Sequence, residues 1–252
     1  MRGLQQRRCA DTDFGSISMK LVIFDIDGTL VRSDPHEDRL FWQALVDVLG
    51  VRRETFEWNS FRHVTDSGIT QEVFRRQFGR DPEGASLAAT EEHFGSLWQR
   101  LLSTLPRDEI EVPGARAMLA HLNEHPDWTI AIATGGWERT ARAKLGGADI
   151  AHAEIPMGCA NDALAREDIM AIAQARATIQ NANKDFERVV YVGDGEWDAK
   201  TCRAVGMPLV GMAVVPEVRT RLSGLGVSHI LEDYCDRAAV LEALDSAQVP
   251  PP

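Results

Sequence analysis

Asp25 and Asp27 stand with one residue between them at the end of the apolar run Leu21 to Phe24, in the stretch LVIFDIDGTL. Carboxylates this close repel each other, and an apolar setting makes ionising either one harder. A cation, or a reaction that uses both acids, relieves that cost. Two further stretches carry related chemistry. IAIATGG leads an apolar run into Thr134, Gly135 and Gly136, and VVYVGDGEWD leads another into Asp194 and Asp198. Hard oxygen ligands of this kind suit Mg²⁺, which takes one or two carboxylates together with waters and a substrate phosphate. An aspartate can also attack phosphorus and form an aspartyl-phosphate. The i, i+2 spacing points Asp25 and Asp27 to one side of an extended chain, so one can attack while the other protonates the departing oxygen. Thr134 and its glycines offer a hydroxyl and close backbone approach to phosphate oxygens.

Each stretch alone has a plain structural reading: a strand end, a glycine turn, or an acid in the first turn of a helix, favourable to its dipole. Three of them in this order, each after an apolar run, point to a single phosphoryl-handling site, provided the runs are neighbouring strands.

The elements needed to position these residues are legible as alternating patterns. Apolar runs predict buried strands at Leu21 to Ile26, Trp128 to Ala133, Arg188 to Val192 and Pro208 to Val214, with a weaker one at His229 to Leu231. Helical periodicity fills the spaces at Gly114 to His125, Glu138 to Leu145, Arg166 to Ala182 and Trp197 to Val205. Gly146 and Gly147 are expected to cap the second of these. Such alternation predicts an α/β fold, a parallel sheet with helices on both faces. Residues 33–112 break the alternation with helical patterns only. They read as a small α-helical domain inserted between 19–32 and 113–252, with Trp42 and Trp58 expected in its core. Residues 1–18 read as a mobile N-terminal extension, with Met19 a plausible alternative start.

Composition narrows the function classes. The chain has 252 residues, 44% of them hydrophobic, enough for one large domain or a core with an insert. Its net charge of -11 argues against a nucleic-acid surface, which wants a basic face. No apolar run approaches the ~20 residues that cross a bilayer. The four cysteines are scattered with no Cys-x-x-Cys pair, which suits reduced thiols in the cytoplasm.

In LVIFDIDGTL, IAIATGG and VVYVGDGEWD, the chain resembles the first, second and fourth motifs of the haloacid dehalogenase-like hydrolase superfamily, in order, over most of residues 20–235. The resemblance implies a Rossmann-like core, a helical cap after the first motif, Mg²⁺ and a phospho-aspartate intermediate. It implies Asp25 as nucleophile and metal ligand. Asp27 would be the general acid–base, with its backbone carbonyl on the metal. Thr134 and Gly135 would hold the phosphoryl group, and Asp194 and Asp198 would hold or position Mg²⁺. The presence of Asp27 favours the phosphatase branch over the metal-free dehalogenases.

One departure stands out. The family places a lysine at or before the helix preceding the fourth motif, and DALAREDIMAIAQARA offers Arg166 there instead, with Lys144 and Lys184 as fallbacks. A guanidinium can bind phosphate bidentately. In the insert, FRHVTDSGITQEVF makes His63 and Asp66 candidates for substrate selection; otherwise Thr70 caps the next helix and the rest is solvated loop. The expected activity is Mg²⁺-dependent hydrolysis of a small phosphorylated metabolite. The alternatives are a phosphomutase of the same superfamily and a non-catalytic phosphometabolite-binding regulator.

Overall fold

A computed structural model describes residues 19–54 and 58–252. The expected N-terminal extension, 1–18, lies outside the described residues. The chain runs β1 (Lys20–Phe24), α1 (Asp34–Leu49), a 3-10 turn (Trp58–Ser60), α2 (Asp66–Phe78), α3 (Gly84–Leu102), α4 (Arg107–Ile110) and α5 (Ala115–Glu124). It continues through β2 (Trp128–Ala133), α6 (Glu138–Gly147), β3 (Met157–Gly158), α7 (Arg166–Gln180), β4 (Arg188–Gly193) and α8 (Glu196–Val205). It closes with β5 (Leu209–Met212), α9 (Pro216–Gly224), β6 (His229–Leu231) and α10 (Arg237–Ser246). The strands form one parallel sheet in the order β3-β2-β1-β4-β5-β6.

Period-two alternation explains how each strand serves two cores. Val22 and Phe24 of β1 pack with α5, α6 and α10 on one face, through Met118, Leu145 and Leu244 among others. Leu21 and Ile23 pack with α7, α8 and α9 on the other, through Ala173, Cys202 and Leu222. A third core lies within the helical segment, where Phe41, Leu45, Val73, Phe94 and Trp98 are buried together. Trp42 lies in that core as expected, and Trp137 reaches it from the end of β2. Trp58 only packs against its edge, over Phe41. The chain leaves β1 for the β2 side and later crosses back to β4. The β1–β4 boundary is therefore the topological switch point, beside which ligands of such sheets bind.

Several expected boundaries move. Strand β3 has no counterpart in the sequence reading, because a two-residue strand leaves no apolar run to see. Helix α6 continues through Gly146 and Gly147 to a C-cap at Ala148. Gly147 answers packing there, since a Cβ would come within 2.9 Å of Leu102 Cδ2. Helix α2 starts earlier than expected: its N-cap is Thr65, whose Oγ1 accepts from Gly68 N at 3.1 Å. Thr70 is buried inside the helix. Among the described residues, no helix is long and apolar enough to cross a membrane.

Candidate active site

Parallel register aligns the strand ends. Phe24 of β1 sits beside Ile132 of β2 and Val192 of β4. Asp25, Thr134 and Asp194 therefore emerge within one residue of a common level, at the carboxyl edge. They share a cavity of about 370 Å³ with Asp27, Gly135, Gly136 and Arg166. Gly28, at φ 68°, turns the chain back over this edge; a Cβ there would lie 2.1 Å from Asp194 Oδ2. Only glycine permits both that dihedral and that approach.

Asp25 and Asp198 are almost wholly buried. Burial pushes the Asp25 carboxyl up to about 7, against the opposing pull of Arg166 and with help from Asp198 and Asp27. Burial raises Asp198 as well, although Arg166 and the Gly195 N–H, which donates to Asp198 Oδ2 at 2.9 Å, hold it down. Arg166 Nη1 lies 2.8 Å from Asp198 Oδ1 and 3.4 Å from Asp25 Oδ2, and its Nε donates to Val64 O at 3.0 Å. Burial alone would lower the arginine's pKa, but Asp198 and Asp25 carry it upward, so the guanidinium stays charged. Asp25, Asp194 and Asp198 each offer a carboxylate oxygen within 4.8 Å of the others. This hard, anionic donor set fits Mg²⁺. Thr134 Oγ1 accepts from Gly136 N at 3.1 Å, which leaves its hydroxyl hydrogen free to donate.

The structure brings Asp25, Asp27, Thr134, Gly135, Arg166 and Asp194 to one cavity, with Asp198 just behind them. Asp66 joins from the first turn of α2: its N–H donates to Gly135 O at 2.8 Å, and its Oδ2 accepts from Trp137 N at 2.9 Å. Its neighbour His63 is not among the residues lining the cavity. Lys184 is exposed in the turn after α7. Trp197 and Trp58 both line the cavity, so Trp58, expected in the insert's core, instead faces the site.

Lys144 holds a place that spacing alone did not reveal. Its Nζ donates to Asp27 Oδ1 and to Glu37 Oε2, each at 2.6 Å, and sits 4.5 Å from the Trp98 ring centroid. The lysine is 1% exposed, and it joins α6 of the core to α1 and α3 of the helical segment. Burial would lower its pKa, but Asp27 and Glu37 outweigh it and keep the ammonium charged. Glu37 escaped the sequence reading entirely, because nothing in the first turn of an amphipathic helix marks one acid as turned inward to a buried lysine. Burial pushes its carboxyl up to about 8, against the pull of Lys144.

Lys144→Met should therefore cost about 1–3 kcal/mol, because it leaves the partly buried Asp27 and Glu37 without their shared cation. Glu37 gives the pH dependence a sign. An acid whose folded pKa of about 8 exceeds its ordinary value of 4.5 binds more protons folded than unfolded between those values, so stability falls as pH rises through that window. Without Lys144 the folded value rises further. The parent stops losing Glu37's contribution at about pH 8 and the variant continues beyond it, so the Tm deficit of the variant should be larger at about pH 9.5 than at about pH 6. An equal deficit at both would show that the pair contributes packing rather than charge.

A family model described as haloacid dehalogenase-like hydrolase matches residues 19–206. The chain belongs to this family. Two relatives named phosphoglycolate phosphatase, from strains of Cereibacter sphaeroides, are 30% identical over 189 residues and 28% identical over 191. Each match covers 74% of this chain and 81% of the relative. Among solved structures, a hydrolase from Pseudomonas syringae superposes with a TM-score of 0.63 at 20% identity, covering 92% of this chain and all of that one. CbbY from Rhodobacter sphaeroides in complex with phosphate gives 0.57 at 18% identity, covering 90% and 99%. Their agreement with this haloacid dehalogenase-like hydrolase is in the fold.

Proposed function

We propose that this haloacid dehalogenase-like hydrolase is a Mg²⁺-dependent phosphatase acting on a small cytoplasmic phosphomonoester through an aspartyl-phosphate. The observation that carries the reading is the meeting of Asp25, Asp27, Thr134 and Arg166 in one cavity at the carboxyl edge. Asp25, Asp194 and Asp198 would hold Mg²⁺, with the Asp27 carbonyl as a further ligand. The bound cation would keep Asp25 ionised and neutralise charge on the phosphoryl oxygens.

In this mechanism Asp25 attacks phosphorus, the bond to the ester oxygen breaks, and Asp27 gives that oxygen a proton. A water then loses its proton to Asp27 and attacks phosphorus, releasing phosphate and restoring Asp25. Lys144 on Oδ1 fixes the Asp27 carboxylate and leaves Oδ2 for the proton. That oxygen and Thr134 Oγ1 lie 3.8 Å and 3.5 Å from the point where a Cβ on Gly136 would stand, so both border one small space. Thr134 Oγ1–H and the Gly135 N–H would donate to the phosphoryl oxygens. Helices α1 to α3 would form a cap (33–112) over the core (19–32 and 113–252). The cap would select the leaving group.

A panel of phosphomonoesters, followed for free phosphate and for isomerised ester, tests the reading. Phosphate release supports it. Isomerised ester would identify a mutase, and binding without turnover a regulator.

Arg166 fills the third-motif role in this scheme, already pointing between Asp25 and Asp198. Arg166→Ala should lower kcat/KM about 100-fold, the scale for one preorganised charge-stabilising group. Arg166→Lys should recover only part of that, because it lacks the planar fork. An unchanged rate in the alanine variant would return the role to Lys144.

A further inference from the structure

The leaving-group side of the cavity has an unusual charge balance. Glu37, Asp38, Asp66 and Glu196 line it, and the lining cations are Arg166 and Arg221. Arg166 is held by Asp198, Asp25 and the Val64 carbonyl. Arg221 is more than half exposed, 3.9 Å from Glu196, so it belongs to the mouth. Lys144 is spent on Asp27 and Glu37 and does not line the cavity. A carboxylate carried on the leaving alcohol would thus enter a space lined by carboxyl groups, with no deep cation left among the described residues to meet it.

Asp66 is the group best placed to read the leaving alcohol. It is 8% exposed, and α2 carries it to Gly135, at the edge of the phosphoryl space. Its Oδ2 lies 3.8 Å from the Gly136 Cβ position, as close as Asp27 Oδ2. Oδ2 is used by Trp137 N, whereas Oδ1 accepts no hydrogen bond from the described residues. Asp66 lines the cavity, so this oxygen is open to a hydroxyl donor on a ligand. Trp58 and Trp197 add indole faces to the same wall, on which C–H surfaces of a carbon skeleton can pack.

We propose that the leaving group is an uncharged polyol or sugar, one of whose hydroxyls donates to Asp66 Oδ1, and that esters bearing a carboxylate on the leaving alcohol are disfavoured. The inference rests on the phosphatase reading and adds its substrate class. It also separates this chain from the activity named for its Cereibacter relatives, since glycolate carries such a carboxylate.

Glycerol 3-phosphate and 3-phosphoglycerate form a matched pair, differing by hydroxymethyl against carboxylate. With Mg²⁺ at about pH 8.5, where Asp66, pushed up to about 7 by burial, is ionised, kcat/KM for the polyol ester should exceed that for the acid ester by at least about 10-fold, because like charges facing each other are disfavoured. Asp66→Asn keeps an acceptor for Trp137 N and removes the charge, so the ratio should shrink toward one. A parent ratio of one or below, or the same ratio in the Asn variant, overturns the inference. p-Nitrophenyl phosphate separates it from the reading beneath it. Turnover of that ester with the acid ester preferred sinks the inference and leaves the phosphatase standing. If no ester is hydrolysed, the phosphatase reading falls, and calorimetry on Asp25→Asn with Mg²⁺ decides the inference. Tighter binding of glycerol 3-phosphate supports it; equal, weaker or undetectable binding overturns it.

Discussion

Asp25→Asn is expected to abolish turnover and to leave no phosphoenzyme. The amide cannot act as the nucleophile, and two neighbouring carboxylates are engaged elsewhere: Asp198 with Arg166 and Gly195, and Asp27 through Oδ1 with Lys144. Asp27→Asn should behave differently. General acid–base help is worth about 10²–10⁴-fold, so a residual rate should remain. With p-nitrophenyl phosphate, whose leaving group needs little protonation, the variant should still be phosphorylated. Its phosphoenzyme should then hydrolyse slowly and accumulate. Rapid-quench mass spectrometry reads the outcome: a phosphoryl adduct mapped to Asp25 in the Asp27 variant supports the division of labour. An adduct on Asp27, or an active Asp25→Asn protein free of deamidation, reverses the two roles.

Chelation is the second large effect. EDTA should remove hydrolysis entirely, and added Mg²⁺ should restore it. Asp25 explains part of this: burial, helped by Asp198 and Asp27 and opposed by Arg166, pushes it up to about 7, so without a cation much of it is protonated near neutral pH and a poor nucleophile. Arg166 is the only positive group that touches both Asp25 and Asp198 among the described residues, and a phosphate would compete for it. Ca²⁺ should substitute poorly, because its larger and more flexible shell misplaces nucleophile and phosphorus. Calorimetry should show Mg²⁺ binding weakened in Asp194→Asn, independently of turnover. Full activity in EDTA would falsify the metal reading.

The two outcomes probe parts of the site that were not equally legible. Asp25, Asp27, Thr134, Asp194 and Asp198 could be named from local pattern, because each follows an apolar run at a strand end. Arg166 was marked by its position before the fourth motif, but its partners were not. Lys144 was a fallback without a reason, and Glu37 was invisible. The pair forms across 107 residues, from helix faces that carry ordinary charges elsewhere. Asp66 stood out as part of a polar cluster. Its companion His63, equally polar and three residues away, does not line the cavity, because the N-cap at Thr65 sets which side chain the first turn presents.

What the sequence by itself determined is what hydrophobic periodicity and local backbone chemistry control. These are the apolar strands, the amphipathic helices between them, and the acids and glycines at the strand ends. Such features depend on neighbours a few residues away, so they survive without knowledge of the fold. Tertiary structure alone decided the sheet order, the short β3, and the level at which Asp25, Thr134 and Asp194 emerge together. It also decided which charges lose their water. Lys144 becomes a buried cation only because α1 and α3 close over α6, and Asp66 a buried acid only because α2 docks on Gly135 and Trp137. Desolvation and long-range pairing have no sequence period. They arise from which surfaces pack, and they set both the protonation of this site and the kind of leaving group it can admit.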